Sequence, residues 1–151
     1  TFGVIEKPVL ELKIKNGLLG RKESYSLDTF KLDSNFNMQK IIHIIQKTNI
    51  PEIVRIGIKS SQPTLLNKYD RKYYLSADKR YRITIDSNQV FYRIGSQNNL
   101  FLNKIKNVLS VILELKYNID ADDDVNSITQ HFPFRLTKSS KYISGLEKIY
   151  V

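Results

Sequence analysis

The chain opens on a strict two-residue alternation. In VLELKIK (9–15), Leu10, Leu12 and Ile14 fall on one side of an extended strand, and Glu11, Lys13 and Lys15 fall on the other. The tetrapeptide Leu-Glu-Leu-Lys returns in VILELKY (111–117), which again sets Glu114 and Lys116 together opposite aliphatics. Gly17 and Gly20 frame a turn after the first copy, and RKESYSL (21–27) predicts the returning strand of a hairpin. The period then changes. FNMQKIIHIIQK (36–47) carries apolar residues at 38, 41, 42 and 45, the spacing of one helix face. Asp33, Ser34 or Asn35 can cap that helix, and Asn49 and Pro51 close it.

EIVRIGIK (52–59) is β-branched and predicts an extended segment, with a loop over 60–67. Three polar strands follow, YDRKYYLS (69–76), RYRITID (80–86) and QVFYRI (89–94), joined by Ala-Asp-Lys and Ser-Asn turns. A polar linker (95–104) leads to a strand over about 108–117. DADDD (120–124) reads as a solvated cap for a short helix at 125–131, Pro133 ends that helix, and SKYISG (140–145) reads as a last short strand or turn. The whole predicts a single, mainly β domain of the α+β class, with antiparallel strands and two inserted helices.

Charge changes the picture, because the polar face of nearly every strand is cationic. The positions are Lys13 and Lys15, Lys22, Arg71 beside Tyr73, Arg80 and Arg82, Arg93, and Lys116. The chain carries 24 Lys and Arg against 15 Asp and Glu, a net charge of +9, which favours a polyanionic partner. Turned inward in a closed barrel, such faces line a basic tunnel; turned outward, they make a surface for nucleic acid, with interleaved tyrosines to stack bases. Spacing alone leaves both open.

Other classes fall away. There is no cysteine, hence no disulfide and no thiolate metal site, and two histidines cannot build a His-rich centre. His43 sits on a predicted helix face and His131 near a helix end. DADDD is no calcium loop, since its sixth position is Val125 and its twelfth His131, where Gly and Glu are needed. No apolar run approaches the ~20 residues of a membrane span and no signal peptide is visible, so a cytoplasmic location is expected.

Taken in order, LELKIK…GLLGRKESYSL, KYDRKYYLSADKRYRITID (68–86), VILELKY and FPFRLTKSSKYISG (132–145) resemble the VTC domain. This is the polyphosphate polymerase domain of the vacuolar transporter chaperone complex and its bacterial relatives, within the triphosphate tunnel metalloenzymes, the CYTH superfamily. The resemblance implies an antiparallel β-barrel tunnel lined by Lys and Arg, holding a triphosphate or polyphosphate chain. It also implies Mn2+ or Mg2+ on an acidic residue, and phosphoryl transfer from ATP that makes polyphosphate, or triphosphate hydrolysis. Carried over by position, Lys13, Lys22, Arg71, Arg82 and Lys141 contact phosphates, and Arg80 and Lys116, which share the cationic faces, are further phosphate-binding candidates. Glu114 takes the metal, Glu11 on the other Glu-x-Lys strand is a second candidate metal ligand, and Arg71, Arg82 and Glu114 form the catalytic set. The family's further N-terminal strands are expected to precede residue 1.

Phosphoryl transfer suits such residues, because positioning and positive charge supply most of the catalysis and no Ser-His-Asp constellation is needed. The bland readings are ion pairs of Arg71, Arg80 and Arg82 with Asp70, Asp78 and Asp86, and a surface pair of Glu114 with Lys116 worth ~0–1 kcal/mol. A binding module without turnover and a domain for single-stranded nucleic acid are the competing classes.

Overall fold

The computed structural model describes residues 3–16, 19–97, 99, 101, 104–122, 124–135, 137 and 139–150, with the backbone alone at 15, 16, 19, 20 and 119. These residues divide into two units, one of residues 1–64 and 93–102 and one of 65–92 and 103–151. Gly17, which helps frame the first expected turn, lies outside the described residues, as does the side chain of Lys15.

In the first unit β1 (Gly3–Ile5) pairs antiparallel with β4 (Phe30–Leu32), and the alternating segment forms β2 (Val9–Asn16), which pairs with β3 (Leu19–Ser26). The hairpin register sets Lys13 opposite Lys22 and Glu11 opposite Ser24. Leu10, Leu12 and Tyr25 pack on a core of Ile45, Ile50 and Val54. Helix α1 (Met38–Gln46) is capped by Asn37, one turn later than the expected candidates, with Asn37 Oδ1 accepting from Lys40 N–H at 3.1 Å.

EIVRIGIK is not extended. It is helix α2 (Glu52–Lys59), entered from Pro51. Burial overrides β-propensity here: Ile50, Val54 and Ile58 recur every four residues and reach the same core. Burying an aliphatic side chain contributes about 1.5–3 kcal/mol, against at most ~0.7 kcal/mol per residue of helix propensity lost. Arg55 fixes the junction. Its guanidinium donates to the carbonyls of Ile45 (3.2 Å), Gln46, Thr48 and Ile50 (each 3.4 Å), capping the orphan end of α1, and its Nε lies 2.9 Å from Glu52 Oε2.

The second unit is built on a four-stranded sheet of β5 (Leu65–Leu75), β6 (Tyr81–Arg93), β7 (Lys104–Asn107) and β8 (Ile112–Tyr117). β6 is central, with β5 on one side and β7 and β8 following each other along the other. Two expected strands are therefore one. Ser87-Asn88 is no turn: Asn88 takes φ 52° inside β6, between the stretch paired with β8 (81–86) and the stretch paired with β7 (89–92). Its amide donates to Asp70 Oδ2 at 2.8 Å, which supports a conformation that Asn tolerates better than most residues. β7 falls between the expected linker (95–104) and the strand expected from about 108, and β8 begins at Ile112.

After a 3-10 turn (Ile119–Ala121) comes α3 (Val125–Thr129), and SKYISG, expected as strand or turn, starts helix α4 (Lys141–Tyr150). Ser140 Oγ accepts from Ile143 N–H at 3.4 Å, the bond of an N-cap, and Lys141, Gly145 and Ile149 mark the inward stripe at four-residue spacing. The fold is thus antiparallel and mainly β, with four helices rather than two, and no sheet closes on itself among the described residues. No helix there is long and apolar enough to cross a membrane.

Candidate functional site

Alternation along β6 and β8 decides which side chains meet. The β6–β8 register sets Arg82 opposite Lys116 and Thr84 opposite Glu114, so these four share a face with Asp86, while Ile83, Ile85, Leu113 and Leu115 take the other. On β5, Tyr69, Arg71 and Tyr73 lie on that same polar side. The guanidinium of Arg71 is bidentate on Asp86, Nε to Oδ1 at 2.5 Å and Nη2 to Oδ2 at 2.7 Å. Lys141, the first residue of α4, reaches Asp86 Oδ2 at 2.5 Å.

Asp86 is therefore the centre of the cluster, with a side chain only 2% exposed, against 25% for Arg71 and 21% for Lys141. Both cations lie 5.1 Å from the centre of the Tyr69 ring, and Arg71 also lies 5.8 Å from that of Tyr73. Helix α4 can approach so closely because Gly145 has no side chain. A Cβ there would stand 2.6 Å from Leu65 Cδ2 and 2.7 Å from Phe91 Cδ1.

The second group on this face is looser. Lys116 Nζ stands 3.3 Å from Glu114 Oε1, and Thr84 donates to Glu114 Oε2 at 3.5 Å. The aliphatic neighbours of Glu114 do not bury it, for its side chain is 45% exposed. Arg82 is exposed and, among the described residues, engages no hydrogen bond or ion pair. The face as a whole carries Arg71, Arg82, Lys116 and Lys141 against Asp86 and Glu114, so positive charge is left over for an anion.

The other expected residues sit differently. Arg80 does not continue the Arg82 face: it precedes β6 in the turn, held by Asp78 (2.7 Å) and Asp124 (2.8 Å). Lys79 in that turn takes φ 61°. Bonds from Ser76 and then Arg80 pull the Asp78 carboxyl down to about 2. Glu11, Lys13 and Lys22 lie on the β2–β3 hairpin of the first unit, where Lys22 pairs with Glu11 at 2.9 Å and Lys13 is exposed. The bland readings are thus realised for Arg71 and Arg80, as the ion pairs Arg71–Asp86 and Arg80–Asp78, and for the surface pair of Glu114 with Lys116.

Asp86 has a pH signature. The bidentate bond from Arg71, and after it Lys141, holds its carboxyl below the usual carboxylate range against the opposing effect of burial; the same bond raises Arg71. The folded value is depressed, so the stabilisation is complete above the unfolded value of roughly 4 and is lost as pH falls through the folded value. Urea unfolding followed from neutral pH into acid should show a steeper stability loss in the wild type than in Asp86→Asn. Parallel profiles would remove Asp86 as an acid-sensitive group.

A divalent ion would find one carboxylate here. Among the described residues no three His, Cys, Asp or Glu side chains are grouped to hold a metal, and the oxygens of Asp86 already accept from Arg71 and Lys141. Mg2+ and Mn2+ favour hard oxygen ligands, and Mg2+ is commonly held by one or two carboxylates together with substrate phosphates. Glu114, half exposed although its oxygens face Lys116 and Thr84, is the carboxylate of this face that such an ion, arriving with a phosphate chain, would meet.

An antiparallel α+β protein with a cation-rich, carboxylate-anchored sheet face is the class these features define. The profile of the VTC domain matches residues 5–150, nearly the whole chain, and the protein belongs to that family. Searches of curated proteins and of solved structures returned no match.

Proposed function

We propose that the chain binds triphosphate or polyphosphate on the face of Arg71, Arg82, Lys116 and Lys141, and that it carries out metal-dependent phosphoryl transfer, making polyphosphate from ATP. The observation that carries this reading is the gathering of four cations from β5, β6, β8 and α4 on one sheet face of a VTC family member. A phosphate chain bears about one charge per unit, and several cations on one face can grip it at once through charge-assisted hydrogen bonds. In this reading the face lines the wall of a tunnel, and Arg71 and Arg82 neutralise the group being transferred. Glu114 would hold Mn2+ or Mg2+, which supplies Lewis-acid polarisation of a phosphoryl oxygen. Lys13 and Lys22, on the hairpin of the first unit taken by itself, are proposed phosphate-binding residues on the family resemblance alone.

Thermal shift with tripolyphosphate, with ATP plus Mn2+, and with a single-stranded oligonucleotide tests the partner. Stabilisation by tripolyphosphate is expected, and stabilisation by the oligonucleotide alone would replace this reading by a nucleic-acid one, for which the exposed Tyr73 and Tyr74 would serve. Arg82→Ala should lower tripolyphosphate affinity roughly tenfold with little change in melting temperature, because Arg82 is exposed and holds no partner among the described residues. In the same assays Glu114→Gln should cut metal-dependent turnover while sparing most phosphate affinity; full turnover would take Glu114 out of the chemistry.

A further inference from the structure

Asp86 presents a puzzle under that reading. A site for polyanions holds, at its most buried point, an anion of its own. Electrostatics alone says that this carboxylate opposes ligand binding, as any negative charge close to a phosphate does. The geometry points the other way. Arg71 Nη2 and Lys141 Nζ touch the same oxygen, so they stand no more than about 5 Å apart. Two like charges at that separation, on separate elements and both partly buried, repel unless an anion lies between them.

We propose that Asp86 is a positioning residue, which holds Arg71 of β5 and Lys141 of α4 as a preformed clamp for one phosphoryl group of the ligand. The donor inventory supports this. Arg71 has five N–H donors, of which Nε and one on Nη2 go to Asp86, and Lys141 has three, of which one does. Asp86 leaves three on the guanidinium, with the Tyr73 side chain competing for one of them, and two on the ammonium, on groups still 25% and 21% exposed. The ring of Tyr69 beneath both cations limits where they can move. With the carboxylate in place their separation suits the oxygens of a single phosphate. Without it the flexible Lys141 would swing to solvent, and the ligand would have to gather the pair itself.

This inference rests on the phosphate-binding reading, and one titration series separates the two. Tripolyphosphate binding is measured by calorimetry for the wild type, for Asp86→Asn, and for Glu147→Gln on α4, which adds the same unit of charge at an exposed position. If Asp86 positions the clamp, Asp86→Asn binds about tenfold more weakly despite the gain of positive charge, and Glu147→Gln binds as well as the wild type or slightly better. If Asp86→Asn binds as tightly as the wild type or more tightly, the carboxylate is only a competing anion and the positioning role is overturned. A wild type that does not bind tripolyphosphate overturns the functional reading, and this inference with it.

Should Asp86→Asn fail to fold, the wild-type Arg71 Nε–H resonance decides. Under positioning it stays at its carboxylate-bonded frequency when tripolyphosphate saturates the site. Its movement to the position of a free or phosphate-bonded guanidinium means that the ligand displaces Asp86, which refutes the clamp.

Discussion

Arg71→Ala should lower tripolyphosphate affinity by about a hundredfold and cost the fold about 3 kcal/mol, because one side chain serves both ends. The stability loss comes from Asp86. Its carboxylate is 2% exposed, and removal of the guanidinium deletes a bidentate pair and leaves, among the described residues, Lys141 Nζ as its cation. Breaking a buried pair by removing one partner typically costs 3–5 kcal/mol; the remaining lysine and the 25% exposure of Arg71 argue for the lower end. The affinity loss comes from the three N–H groups that Asp86 does not use. Arg71→Lys discriminates between charge and geometry. It keeps the cation but loses the fork, so it should recover part of the stability and little of the affinity. Urea unfolding and calorimetry on the three proteins give both numbers, and an Arg71→Ala that binds tripolyphosphate normally would remove this residue from the site.

The strands of the two Leu-Glu-Leu-Lys copies were legible because a period of two leaves no freedom: once Leu113 and Leu115 share one face, Glu114 and Lys116 must share the other. The same rule would have found Asp86. Arg82, Thr84 and Asp86 alternate on one strand, and a carboxylate beside the arginines reads either as counter-ion or as anchor; only the position of α4 tells which. The helices were harder, for two different reasons. EIVRIGIK has the composition of a strand and the spacing of a helix, and the spacing wins because Val54 and Ile58 land on a core that the sequence does not display. SKYISG hides its helix behind Gly145, a residue that weakens helices by about 1 kcal/mol, so only the Ser140 cap pointed to the element.

Arg80 lies off the Arg82 face for a local reason. Two residues before Arg82 in the sequence, it would share that face if β6 began earlier. Ser76 N–H instead bonds the Tyr81 carbonyl at 2.9 Å, which closes the turn and leaves Arg80 outside the ladder beside Asp78 and Asp124. A basic residue near the site by sequence is thus tied to an acidic loop in space. The cations on the sheet face are those that strand periodicity and α4 bring there together, Arg71, Arg82, Lys116 and Lys141.

Gly145→Val should unfold α4 from the sheet, at a cost of about 3 kcal/mol or more, and weaken tripolyphosphate binding about tenfold in the same step. A glycine in the middle of a helix is unfavourable by about 1 kcal/mol relative to alanine, so some other demand must hold it there. That demand is space. A Cβ at 145 would lie 2.6 Å from Leu65 Cδ2, which could rotate, but also 2.7 Å and 3.0 Å from two carbons of Phe91, a ring with no exposed surface and nowhere to go. The helix must move instead, and Lys141, one turn earlier on the same stripe, moves with it and leaves Asp86. Gly57 supplies the contrast: it also sits mid-helix, in α2, but nothing lies within 4 Å of its Cβ direction. Gly57→Ala should therefore raise stability by roughly 0.5–1 kcal/mol while Gly145→Ala lowers it, although the substitution is chemically the same. Denaturant unfolding of the pair, with tripolyphosphate calorimetry on Gly145→Val, reads both effects. A Gly145→Val protein of wild-type stability and affinity would show that α4 does not hold Lys141 in the site.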